Sequence, residues 1–195
     1  IVFGDWSSDV CSSDLTAISG DDYLSEAISL DFSFPYGEAG YTQIKVSSNG
    51  WIGLGTAFEH SNLSNELTST EYFPLLAPLW DDTSLSSGNA QYLLSGVSPN
   101  RVFTIQYQNM LWNYNGANSL NMQVKLWENG KIEFIYGSMI GTPNFPSASI
   151  GINMQPGGVD WFMSVTPGNP ASISTNTENY TIAAFPEDEI GRAHV

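Results

Sequence analysis

The sequence predicts an all-β domain, an antiparallel β-sandwich of two packed sheets with jelly-roll-like topology. Three observations carry that prediction: short runs alternate apolar and polar residues, aromatic and β-branched residues fill those runs, and Gly, Asn and Ser cluster between them. Strands at this spacing pack as two facing sheets.

The first predicted strand spans 28–34, where Ile28, Leu30, Phe32 and Phe34 share one face. "QIKVSSNGWIGLG" then reads as a hairpin. A three-residue loop of Ser48, Asn49 and Gly50, with Gly50 at positive φ, sets Val46 opposite Ile52 and Ile44 opposite Leu54. The connection 56–73 exceeds ordinary loop length and is read as a functional or mobile loop. Its 64–72 stretch is the best helix candidate and is too polar to convince. Shorter strands are expected at 77–80 and 91–94, followed by one at 101–111 with Phe103, Ile105 and Tyr107 facing inward. "NMQVKLWENGKIEFIYG" repeats the hairpin logic around Glu128, Asn129 and Gly130. It pairs Leu126 with Ile132, Val124 with Phe134 and Met122 with Tyr136, and sets Lys125 against Glu133 on the other face. Strands at 147–153, 159–165 and 180–184 complete the set.

The two ends read differently. "DVCSSDL" (9–15) and "EIGRAHV" (189–195) back-translate as reverse complements of one DNA string, which resembles a common sequencing adapter, and "DWSS" (5–8) continues it in frame. The expected organisation is therefore an adapter-derived scar at 1–15, a single β-sandwich domain at 16–188 belonging to a longer protein, and a second scar at 189–195, as in a metagenomic fragment. On this reading Cys11 and His194 carry no function. Between 16 and 188 there remain four basic and sixteen acidic residues, a net charge of −12. That field repels polyanions, so nucleic acid is an unsuitable partner, and no run of about 18 apolar residues exists to enter a membrane.

"FSFPYGEAGYTQIKVSSNGWIGLG", "PLLAPLWDDTS", "RVFTIQYQNMLWNY" and "NMQVKLWENGKIEFIYG", in that order, resemble the nidogen-like extracellular domain, and above all its versions in large secreted or surface proteins of bacteria with a type IX-like secretion route. The phrases that carry the resemblance are Asn49, Gly50, Trp51 and Ile52; Pro78, Trp80, Asp81 and Asp82; and Met122, Gln123, Val124, Leu126, Asn129 and Gly130. The chain departs from the pattern at Leu79, where an aromatic is common. The resemblance implies an extracellular or cell-surface location and a noncatalytic module of adhesive or matrix-associated proteins with no settled ligand; the partners expected are a polysaccharide or an extracellular matrix or surface protein, and neighbouring domains in the same polypeptide.

The residues themselves offer little chemistry for catalysis. His60 in "EHSN" has no second His or Cys at a ligand spacing, and neither a G-x-S-x-G nor a phosphate-binding glycine loop is present. A glycosidase needs two carboxylates across a cleft, yet Glu133, an acid deep in a predicted strand, already faces Lys125. A glycoside hydrolase is thus the third reading, behind a binding module and a carbohydrate-binding module accessory to a polysaccharide-degrading enzyme.

Two constellations suit binding. Asp81 and Asp82 in "WDDTS" offer hard oxygen ligands for calcium, the one cofactor considered, together with the loop asparagines Asn113, Asn115 and Asn118. The competing reading has one aspartate capping the turn and the other solvated. The hairpin registers also turn Trp51 and Trp127 away from the apolar face, and "MLWNYNGAN" sets Trp112 and Tyr114 beside Asn113 and Asn115. Flat rings next to amides suit sugar recognition, unless loops cover the tryptophans.

Overall fold

Both Asn-Gly hairpins form in the predicted register. Ile44 pairs with Leu54 and Val46 with Ile52, while Leu126, Val124 and Met122 pair with Ile132, Phe134 and Tyr136. Each is closed by a three-residue loop, Ser47 N–H bonding Trp51 C=O and Trp127 N–H bonding Lys131 C=O. Gly50 and Gly130 sit at φ 74° and 92°, where a side chain would be strained.

The computed structural model describes residues 2–3, 17–113, 118–141, 147–154, 161–166 and 172–174. In chain order its strands are β1 (Val2–Phe3), β2 (Ile18–Asp21), β3 (Ile28–Tyr36), β4 (Ala39–Val46), β5 (Ile52–Leu54), β6 (Leu75–Trp80), β7 (Thr83–Ser95), β8 (Val102–Trp112), β9 (Leu120–Trp127), β10 (Ile132–Tyr136), β11 (Ser149–Asn153), β12 (Phe162–Thr166) and β13 (Ser172–Ser174). One sheet runs β13-β12-β11-β6-β5-β4-β3 and the other β1-β10-β9-β8-β7-β2. Every pairing is antiparallel except that of β1 with β10. No helix occurs among the described residues, and 64–72 is a series of turns. The predicted strand 180–184 lies outside them.

Two consecutive meanders, β3 to β6 and β7 to β10, supply four adjacent strands to each of the two sheets. The chain passes from one to the other through only Asp81 and Asp82. Apolar side chains of both sheets meet in the main core, which includes Leu30, Phe34, Ile44, Leu54, Phe103, Ile105, Val124 and Phe134. Burial of side chains this size contributes roughly 1.5–3 kcal/mol each. Tyrosine hydroxyls stitch the sheets together: Tyr107 donates to the Ser47 and Trp51 carbonyls at 3.3 Å, and Tyr136 donates to the Pro78 carbonyl at 2.5 Å. Burial raises the pKa of both.

A second, smaller core lies on the other face of the β5–β6 sheet. It gathers Trp51, Phe58, Leu67, Leu75, Ala77, Trp80 and Phe162. The loop 56–73 covers it and is firmly attached rather than loose. One carbonyl, that of Asn62, accepts both indole N–H groups, from Trp51 at 2.9 Å and Trp80 at 2.8 Å. Asn153 donates to the carbonyls of Leu67 and Tyr72, and Lys45 donates to that of Phe58.

Candidate functional site

The corner between the sheets divides its two aspartates sharply. Asp81 is 6% exposed. It accepts from Trp112 Nε1 at 2.7 Å, Ser147 N at 2.8 Å, Ser147 Oγ at 3.1 Å, Asn65 Nδ2 at 3.3 Å and its neighbour Asp82 N at 2.8 Å. Both oxygens are thereby occupied by protein donors, so the residue is a structural hub rather than an open ligand. Asn118 is spent in a similar way, accepting from Trp112 N at 2.6 Å and donating to Trp112 O at 3.1 Å, which closes the loop after β8. Of the anticipated calcium ligands, Asp81 and Asn118 thus spend these side-chain atoms on protein partners.

Asp82 instead faces a different pair. Its carboxylate lies with those of Asp21 and Asp22, one oxygen from each falling within 4.8 Å of the others. Partial burial and the charges of Asp22, Asp21 and Asp81, in that order, raise its pKa. Asp22, at φ 47°, is held by Asn49 Nδ2 at 2.8 Å. The backbone beyond it clips to the buried turn through Tyr23 N to Ser48 Oγ and Ser48 N to the Tyr23 carbonyl. Carboxylate oxygens so spaced can hold a hard cation.

Asp22 also opens onto a cavity of about 650 Å³ between the β2–β3 connection and the loop 56–73, with Tyr23, Glu59, His60, Glu71 and Tyr72 in its wall. Tyr23 is 42% exposed and Leu63, also in the wall, 45%. Hydrogen bonds to the carbonyls of Asn62 and Tyr72 anchor two residues of the cleft wall.

Two of the three tryptophans anticipated as a sugar platform, Trp51 and Trp112, are covered. Trp51 does point away from the main core, but Phe58, Tyr72 and Trp80 surround its ring at 5.3, 6.1 and 6.2 Å between centroids, and no face is left exposed. Trp112 ends β8 inside the main core with its N–H on Asp81. Trp127 is half-buried, with Lys131 Nζ 4.9 Å from the ring centroid and its own N–H donated to Glu133 at 2.7 Å. Glu133, opposite Lys125 in register, makes its ion pair with Lys131 at 2.7 Å. The Asn113 amide N–H donates to the Asp82 carbonyl at 2.6 Å. Tyr114, Asn115, Cys11 and His194 lie outside the described residues.

Asp21, Asp22, Tyr23, Glu59 and Glu71 were not anticipated from sequence. The one available signal was a repeated Asp-Asp, in "GDDYL" and "WDDTS". A family model described as "NIDO related" matches residues 4–191 of the chain. No curated protein and no solved structure gave a match.

Proposed function

The chain belongs to the NIDO-related family, and from that premise we propose that it is a noncatalytic binding or adhesion module of a secreted or cell-surface bacterial protein, engaging its ligand through the cleft under loop 56–73. The observation that carries this reading is the cleft itself, about 650 Å³ with polar and aromatic walls, in a size range suited to ligands. Its walls are fixed by hydrogen bonds from Trp51, Trp80 and Asn153 to loop carbonyls, so little ordering free energy is lost on binding. Any calcium would sit with Asp21, Asp22 and Asp82.

An accessory carbohydrate-binding role is the second reading, favoured by the exposed ring of Tyr23 beside the polar groups of Ser61 and Asn62 in the same wall. One experiment addresses both. Retardation on native gels is measured against a panel of soluble polysaccharides and a panel of extracellular proteins, for the wild type and for Tyr23→Ala/Leu63→Asp. Retardation lost in the double variant supports the cleft, and the panel member responsible selects the reading. Retention by a folded double variant refutes the cleft, and hydrolysis of a polysaccharide refutes the noncatalytic role.

A further inference from the structure

We propose that the cleft recognises a positively charged segment of a partner protein, taking Lys or Arg side chains between its tyrosines and its carboxylates. This rests on the cleft being the binding site. The wall contains Asp22, Glu59 and Glu71, all exposed, and no Lys or Arg. Behind Asp22 stand Asp21 and Asp82, which extend the same negative field.

The Lys and Arg residues of the described structure are engaged elsewhere or lie outside the wall, and within the wall His60 stands among the carboxylates. Lys45 is bonded to the Phe58 carbonyl, Arg101 to Glu128 and Lys131 to Glu133, while Lys125 stands on β9. No Lys or Arg of the wall offsets the cleft carboxylates, and the pKa of Asp82 is raised by its partial burial first and then by the charges of Asp22, Asp21 and Asp81.

The wall also carries apolar side chains. Tyr23, Leu24, Leu63 and Tyr72 offer rings and methyl groups, which suit the aliphatic stem of Lys or Arg and place its cation near an aromatic face. A single divalent ion would use the aspartates alone and leave these apolar groups idle. A polyanion would be repelled, and a neutral sugar would gain nothing from the excess charge. The combination of cavity, carboxylates unmatched by Lys or Arg, and exposed apolar groups matches a basic side chain on a chain segment.

The test uses fluorescein-labelled eight-residue Gly/Ser peptides carrying two Arg, two Lys, two Gln or two Glu, with binding followed by fluorescence anisotropy. The Arg and Lys peptides are expected to bind, more weakly as salt rises from 50 to 300 mM. Glu59→Gln/Glu71→Gln should weaken them about tenfold or more, whereas Glu26→Gln/Glu38→Gln, removing the same charge from exposed positions outside the cleft, should change them by less than about threefold. Thermal melts establish that both variants fold. Equal weakening in the two variants would reduce the effect to net charge and overturn the proposal, as would absence of binding by the basic peptides. If they fail while a gel-panel ligand is lost in Tyr23→Ala/Leu63→Asp, the cleft stands and only its basic preference falls.

Discussion

Asp81 accepts the indole N–H of Trp112 at 2.7 Å, joining the corner between the sheets to the far end of β8. Replacing Asp81 with Ala removes the acceptor of that buried N–H and of the part-buried Ser147 amide. At roughly 1–3 kcal/mol per unsatisfied group, the expected loss is about 3–5 kcal/mol, read as a lower urea midpoint with unchanged slope. Asp81→Asn retains one oxygen acceptor and should lose less. A loss under about 1 kcal/mol for Asp81→Ala would remove its role as a hub.

Asp82, its neighbour, should behave in the opposite sense. Its pKa is raised in the fold, so its contribution is intact below the ordinary carboxylate range and declines as pH rises through the raised value. Asp82→Asn should therefore stabilise at neutral pH, by on the order of 0.5 kcal/mol after solvent screening, and should not do so at low pH. Melting curves across pH 3–7 at low salt check this. A destabilised variant at pH 7 would contradict it.

Arg101 gives a pH dependence of the reverse sign. Its guanidinium donates to both Glu128 oxygens and to the Asp31 carbonyl, and lies over Phe32 at 5.4 Å, linking the β9–β10 turn to β3 of the opposite sheet. Hydrogen bonding from Arg101 lowers the Glu128 pKa to about 2 from 4.5. The stability it lends is present above pH 4.5 and disappears as pH falls through about 2. The difference between wild type and Glu128→Gln should shrink across that window, as followed by denaturant titration at each pH.

The two hairpin glycines should not be equivalent. An added methyl at Gly50 would collide with the Leu79 carbonyl, a backbone atom, whereas at Gly130 it would meet Pro35 Cγ at 3.0 Å. Both alanines carry the positive-φ cost of about 1–2 kcal/mol. Gly50→Ala should lose at least about 2 kcal/mol more, or fail to fold, and paired urea titrations decide.

The strands legible in the sequence were those whose pattern is local. Alternation located β3, β8 and the two hairpins, because Asn-Gly turns fix register within a few residues. β7 was seen only as 91–94, since Ser84, Ser86, Ser87 and Asn89 carry little apolar alternation, yet it runs Thr83–Ser95. The face of Trp51 was legible too, but its cover was not: Phe58 and Tyr72 reach it from a loop with no period. The site followed the same division. Asp82 was visible as chemistry, while its company with Asp21 and Asp22 depends on β2 pairing with β7, Asp21 falling opposite Ser84. Nothing within either segment announces that pairing.

The hub at Asp81 also sets an order of events during synthesis. Two of its donors belong to Ser147, 66 residues later in the chain. At 5–20 residues per second, a nascent chain would wait roughly 3–13 s between making the acceptor and making those donors. Over that interval the first meander can assemble but its exit cannot be locked. A ribosome-stalled chain ending before Ser147 should accordingly remain sensitive to protease at the corner.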